Sequence, residues 1–202
     1  MIKLVLVTAL CLFNLGGVAM ATETPEYTVL EADGAFELRA YEPIIVAETQ
    51  VRGGRREAVN GGFRRLADYI FGGNQSGQKI AMTSPVTQEL GAEAASDAGP
   101  DTAEGWRVGF LMPKEYTLDA LPTPEDTAVR LTEKPARRIA AVQFSGNNSD
   151  DKLADHLNEL RGWMAERGLK PAGAPTFAYY DPPWTLPWLK RNEVLIPVVE
   201  DA

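Results

Sequence analysis

A chain of 202 residues, 45% hydrophobic and 24% charged, is long enough for one domain with a substantial core. Its formal net charge of −8, with no basic run, excludes the electrostatic footprint of a nucleic-acid binder or of a protein that docks on anionic lipid. One cysteine and one histidine exclude a disulfide framework and a Cys/His zinc site built from a single chain.

The chain opens with Lys3 and an apolar run, Leu4 to Val18. Ala19-Met20-Ala21 then supplies a small-residue cleavage signal. This pattern predicts a secretory signal peptide, residues 1–21, removed before Thr22. The alternative is a membrane anchor, but the run is short for a span, and Asn14 and Gly16-Gly17 interrupt it. Cleavage removes Cys11 and leaves residues 22–202 as one periplasmic or secreted domain without a membrane span.

Tyr27–Glu31 and Phe36–Tyr41 alternate apolar and polar residues around Asp33-Gly34, which predicts a hairpin. Ile44–Val51 reads as a β-branched strand. Glu57–Phe71 carries Val59, Gly62, Phe63, Leu66, Ala67 and Ile70 at helical spacing, and Gly72-Gly73-Asn74 stops it. Ile80–Leu90 and Trp106–Met112 read as strands joined by an exposed loop, Gly91–Gly105. Pro113 and the pair Pro122/Pro124 mark a linker.

The second half repeats the order. Val129–Thr132 and Ile139–Phe144 read as strands, followed by a helix over Asp150–Arg167. Ser149 or Asp150 caps that helix, Gly168 ends it, and Leu153, Leu157, Leu160 and Met164 form its apolar stripe. Phe177–Tyr180 and Glu193–Val199 complete the strands. Each half, about 27–113 and 127–199, thus reads strand, helix, strand, strand. Two such units predict an α+β fold in which the strands form one curved sheet or open barrel, with a helix against each half.

Candidate chemistry is sparse. A Ser-His-Asp arrangement would have to use His156, and no G-x-S-x-G elbow is present. Gly72–Lys79 fails the phosphate-cradle pattern, because Gln78 separates Gly77 from Lys79 and no Ser or Thr follows. No catalytic constellation emerges, so a non-enzymatic role is expected. The unusual segment is Asp181–Lys190, with Trp184, Leu186, Trp188 and Leu189 among three prolines. It reads either as a stiff wall for a flat apolar ligand or as a loop folded over the barrel end to close the core. Gly61-Gly62 inside the first helix allows two readings as well: close approach of something flat, or tight helix–sheet packing. Arg64 and Arg65 are either partners for a ligand carboxylate or a solvated face.

Several motifs occur in a telling order. They are Phe36-Glu37-Leu38-Arg39-Ala40-Tyr41, Gly62–Asn74, Lys79-Ile80-Ala81-Met82-Thr83-Ser84-Pro85-Val86, and Phe110-Leu111-Met112-Pro113 with Tyr116. Tyr180-Asp181-Pro182-Pro183 and Arg191-Asn192-Glu193-Val194 follow. Together the set resembles the SOUL family of haem-binding proteins from Tyr27 to about Val199. The resemblance implies a distorted open β-barrel of two βαββ repeats with two main helices packed against it. It also implies haem or another tetrapyrrole in an apolar groove between the first helix and the Pro-rich loop. Val59, Asn60, Phe63, Arg64 and Ala67 would line one side, and Tyr180, Pro183, Trp184 and Trp188 the other. Some members carry a His before the Tyr of the first strand, where this chain has Ala40. The remaining iron ligands are His156, Met82, Met112, Met164 and the six tyrosines. Binding without a protein axial ligand suits the family; His156, flanking the stripe of the second helix, is the alternative metal ligand.

These readings converge on an exported haem or tetrapyrrole carrier, buffer or scavenger with a small apolar ligand and no nucleic-acid partner. Two alternatives stand beside it: an enzyme that removes iron or opens the ring, and an effector-sensing module for apolar ligands. No protein partner can be read from the sequence.

Overall fold

A computed structural model describes residues 22–90 and 105–199. The expected signal peptide and nearly all of the expected loop Gly91–Gly105 lie outside the described residues. In chain order the elements are β1 (Tyr27–Asp33), β2 (Phe36–Tyr41), β3 (Ile44–Val51), α1 (Arg55–Ile70), β4 (Val86–Leu90) and β5 (Trp106–Leu111). Then come β6 (Val129–Lys134), β7 (Arg137–Phe144), α2 (Asp150–Glu166), β8 (Thr176–Tyr179) and β9 (Asn192–Pro197). No described helix is long and apolar enough to cross a membrane.

The nine strands form one antiparallel sheet in the order β1-β2-β7-β9-β8-β4-β5-β3-β6. The two expected units are present as β3-α1-β4-β5 and β7-α2-β8-β9. Each is completed by a strand from the other half: β2 pairs with β7, and β6 pairs with β3. The seam is β4 on β8. The edges β1 and β6 do not pair, so the sheet curls into an open half-barrel around an interior cavity.

Strand alternation sorts the side chains. On one face α1 covers Ala47, Val108, Phe110 and Val129, while α2 covers Leu38, Ala140, Val142, Val194 and Ile196. The opposite face carries Tyr41, Ile139, Ala141, Ala178 and Leu195. Helix α2 buries Trp163 beside the expected Leu153, Leu160 and Met164, stacked on Phe36 at 5.7 Å.

The strand expected from Ile80 begins only at Val86. Pro85 has no N–H for a ladder. The Ile80 N–H instead bonds the end of α1 at Ile70 O, and the Ser84 N–H bonds Glu23 O, both at 2.8 Å. The motif Lys79–Pro85 therefore ties the helix terminus to the N-terminal segment instead of extending the sheet.

Candidate functional site

Helix α1 lies on the sheet through Ala58, Gly62, Leu66, Tyr69 and Ile70. The i, i+4, i+8 spacing puts Val59, Phe63 and Ala67 in one row along its flank. Val59 and Ala67 are half-buried, and Phe63 is 39% exposed with its ring edge-on to Phe110 at 5.3 Å. Asn60 and Arg64 form the next row outward and are exposed. All five expected α1 residues thus share one side of the helix.

Packing accounts for Gly62. A Cβ there would lie 2.5 Å from Val108 Cβ, so the helix can approach β5 only without one. The two arginines differ. Arg65 Nε lies 2.8 Å from Asp126, and its Nη1 donates to Thr49 Oγ1 at 3.0 Å. Arg64 has no ion-pair partner among the described residues.

The Pro-rich loop does not close the core. Trp184 is 83% exposed and Trp188 67%, with Pro183, Leu186 and Leu189 also in solvent. The loop is nevertheless pinned. The Arg191 N–H donates to Asp181 Oδ2, the Gly146 N–H to Pro187 O, and Lys190 Nζ to Pro183 O. A short 3-10 turn, Pro187–Leu189, stiffens its second half. The same Gly146–Asp150 segment reaches α1: Arg55 donates to Asn148 O and Asp150, and its Nη1 reaches the Tyr179 hydroxyl at 3.0 Å. The loop and the start of α1 are therefore held through a common segment.

Two expected residues lie elsewhere. Tyr180 lines the interior of the curl, and its hydroxyl donates to Glu193 Oε2 at 2.7 Å. His156 sits on α2, stacked on Phe144 at 4.1 Å, with Nδ1 paired to Glu159 at 2.8 Å. Neither joins the row on α1.

The sequence reading missed an ion cluster on the inner face. Arg39 and Glu193 are both essentially inaccessible and meet through two parallel hydrogen bonds, at 2.9 and 3.0 Å. Arg191 adds two more to Glu193, and Tyr180 a fifth. Arg39 also lies 4.4 Å above the Tyr27 ring and donates to the Tyr41 hydroxyl. Burial alone would raise the Glu193 pKa, but Arg39 and Arg191 more than offset it and hold the carboxyl below its ordinary value. Burial pushes the Tyr41 phenol up to about 12, tempered by Arg39. The cluster is built from two of the sequence motifs, Phe36–Tyr41 and Arg191–Val194. The available signal was a charged residue at an inward position of each strand.

Two cavities complete the surface. One, of about 110 Å³, lies inside the curl beside Tyr41, Arg137 and Leu195. The other is an open groove of about 320 Å³ under the N-terminal segment Glu23–Glu26, with Glu42, Glu133 and Lys114 on its rim.

The profile of the SOUL heme-binding protein family matches residues 22–197. Heme-binding protein 1 of Xenopus laevis is 29% identical over 166 residues, which cover 81% of this chain and 84% of that protein. Human heme-binding protein 2 is 28% identical over 155 residues, covering 74% and 73%. Among solved structures, the C-terminal domain of EcmrR superposes with a TM-score of 0.57 at 12% identity, covering 87% of this chain and 99% of that one. An uncharacterized conserved protein from Listeria innocua gives 0.59 at 12% identity, covering 89% and 94%. These last two show a shared fold and nothing further.

Proposed function

The chain belongs to the SOUL heme-binding protein family, and on that premise we propose that it binds haem or a related tetrapyrrole as an exported carrier, buffer or scavenger. The observation that carries the location is the pinned loop whose two tryptophans stand in solvent, held through one segment to the start of α1. Val59, Phe63 and Ala67 offer the helix side of the surface, Pro183, Trp184 and Trp188 the loop side. Asn60 and Arg64 stand at the edge, where Arg64 can meet a propionate.

Size and charge favour this surface over the cavities. The interior cavity falls well below the roughly 300–1,000 Å³ typical of organic ligand sites. The open groove is rimmed by Glu23, Glu26, Glu42 and Glu133 against Lys114, and would repel a ligand that carries two propionates. His156 is paired and lies on the other helix, which favours stacking without a protein ligand to the iron. Such binding has modest affinity.

Export rests on the signal pattern. The family match begins at residue 22, and Glu23 is already tied to Ser84 and Lys114. Mass spectrometry of the exported protein should find Thr22 first; an intact Met1–Ala21 segment would reject cleavage. The central test is a haemin titration read by absorbance. Saturable binding is expected, weakened several-fold by Trp184→Ala and again by Trp188→Ala. Absence of saturable binding would sink the reading and leave the fold.

A further inference from the structure

Inside the curl, on the face away from both helices, the cavity of about 110 Å³ has an apolar wall of Ile44, Val46, Leu111, Ile139 and Leu195. Five charged side chains line it as well. Four are matched: Lys134 Nζ lies 3.0 Å from Glu48, and Arg107 Nη1 3.5 Å from Glu89. The fifth, Arg137, has no carboxylate within ion-pair distance among the described residues. Its guanidinium makes one long hydrogen bond, 3.3 Å to Pro135 O. The side chain is half-buried against the cavity, and burial lowers its pKa. A half-buried guanidinium without a carboxylate partner at the wall of an apolar cavity can pair with an anion that enters it.

We propose that this interior cavity is a second binding site, for a small apolar monocarboxylate whose carboxylate pairs with Arg137. The charge count sets the valence. Arg107, Lys134 and Arg137 face Glu48 and Glu89, so a single negative charge neutralises the site. The apolar wall calls for a hydrocarbon body, and the volume restricts it to a few heavy atoms. A tetrapyrrole does not fit, so the site is separate from the α1 and loop surface and does not depend on the haem reading. Pro25, Ile44 and Leu111 line both this cavity and the open groove beside it, which gives a route in. The glutamates rimming that groove disfavour dianions and so sharpen the choice of a monoanion.

The test is calorimetric titration of the protein with sodium butyrate, a monocarboxylate of six heavy atoms. Saturable one-to-one uptake is expected. Arg137→Gln should weaken it roughly ten- to hundredfold, as for loss of a hydrogen-bonded charge, and Arg137→Lys should restore part. Glu89→Gln removes a facing carboxylate and should not weaken it. Val46→Phe keeps Arg137 but fills the cavity, and should abolish uptake even if Arg137→Gln folds poorly. No saturable uptake by the unaltered protein would overturn the proposal. So would unchanged uptake in folded Arg137→Gln or Val46→Phe, or displacement of bound haemin by butyrate. Haemin titration of the same samples separates this outcome from failure of the haem reading.

Discussion

The inner face around Glu193 and the loop around Trp184 invert the usual sorting of residues. A carboxylate with no accessible surface lies in the middle of the sheet, and a tryptophan 83% exposed stands in water. The difference is one of satisfaction. Glu193 receives five hydrogen bonds from Arg39, Arg191 and Tyr180, so its desolvation is compensated within the fold. The loop is fixed by its backbone, yet its large apolar side chains gain little from folding. Their burial energy remains available to a ligand. The cluster is thus satisfied within the fold, and on the proposed reading the loop is left to bind the ligand.

The largest effect should come from breaking the first of these. Glu193→Ala leaves Arg39 buried with only the part-exposed Glu37, 2.6 Å from its Nε, to pair it, and should cost about 3 kcal/mol in denaturant unfolding. The Trp184→Ala, Trp188→Ala double variant should stay within about 0.5 kcal/mol of the unaltered protein, as exposed substitutions do. Equal losses in the two would erase the distinction. The acid limb of stability sharpens it. Glu193 has a depressed pKa in the fold, so its contribution is complete above the ordinary carboxylate value of 4.5 and is lost as pH falls toward the folded value. Glu193→Gln should flatten that limb. On the alkaline side the Tyr41 phenol stays protonated up to about 12, against 10.0 when unfolded, so stability declines as pH rises between these values. Tyr41→Phe should remove that part of the decline.

A smaller effect tests the helix beside the loop. Gly62→Ala gains about 1 kcal/mol of helix propensity but drives a Cβ into Val108. Overpacking of this kind costs about 1–3 kcal/mol, so a net loss is expected. Val108→Ala removes the two methyls at 2.6 and 3.0 Å but keeps the Cβ at 2.5 Å, so it should relieve only part of the loss in a double-mutant cycle, and Val108→Gly more of it. If Gly62→Ala alone proved stabilising, packing would not explain the glycine, and close approach of a ligand to the helix would again be the better reading.

What was legible in the sequence was local. The bounds Ile44–Val51 follow from a β-branched run, and α1 and α2 fall within two residues of their periodic patterns. The i, i+4 row of Val59, Phe63 and Ala67 is likewise a property of the helix alone. Non-local pairing was hidden. Arg39 and Glu193 are 154 residues apart, and only the exchange of β2 onto β7 brings their strands close. Tyr179 and Tyr180 are adjacent, but one faces Arg55 and the other Glu193. Choosing between them requires the neighbouring strand, because period-2 alternation fixes relative sides and not absolute ones. Trp163 escaped because Phe36, its stacking partner, comes from the other half of the chain.

The smallest expected effect is also the most discriminating about iron. His156 is the chain's single histidine, and its imidazole is stacked on Phe144 and paired with Glu159. Removing the ring deletes one aromatic contact, worth about 0.5–1.5 kcal/mol beyond its area, at a position that is only partly buried. The stability loss should therefore be slight. Haemin affinity and the position of the Soret band should be unchanged in His156→Ala if the tetrapyrrole is held by stacking on the loop and the α1 row. A ligand bond to iron would behave differently: its loss would shift the band and weaken binding even with the tryptophans intact. Such a shift would move the iron to α2, away from the exposed loop, and the proposed haem site would have to be redrawn around the second helix.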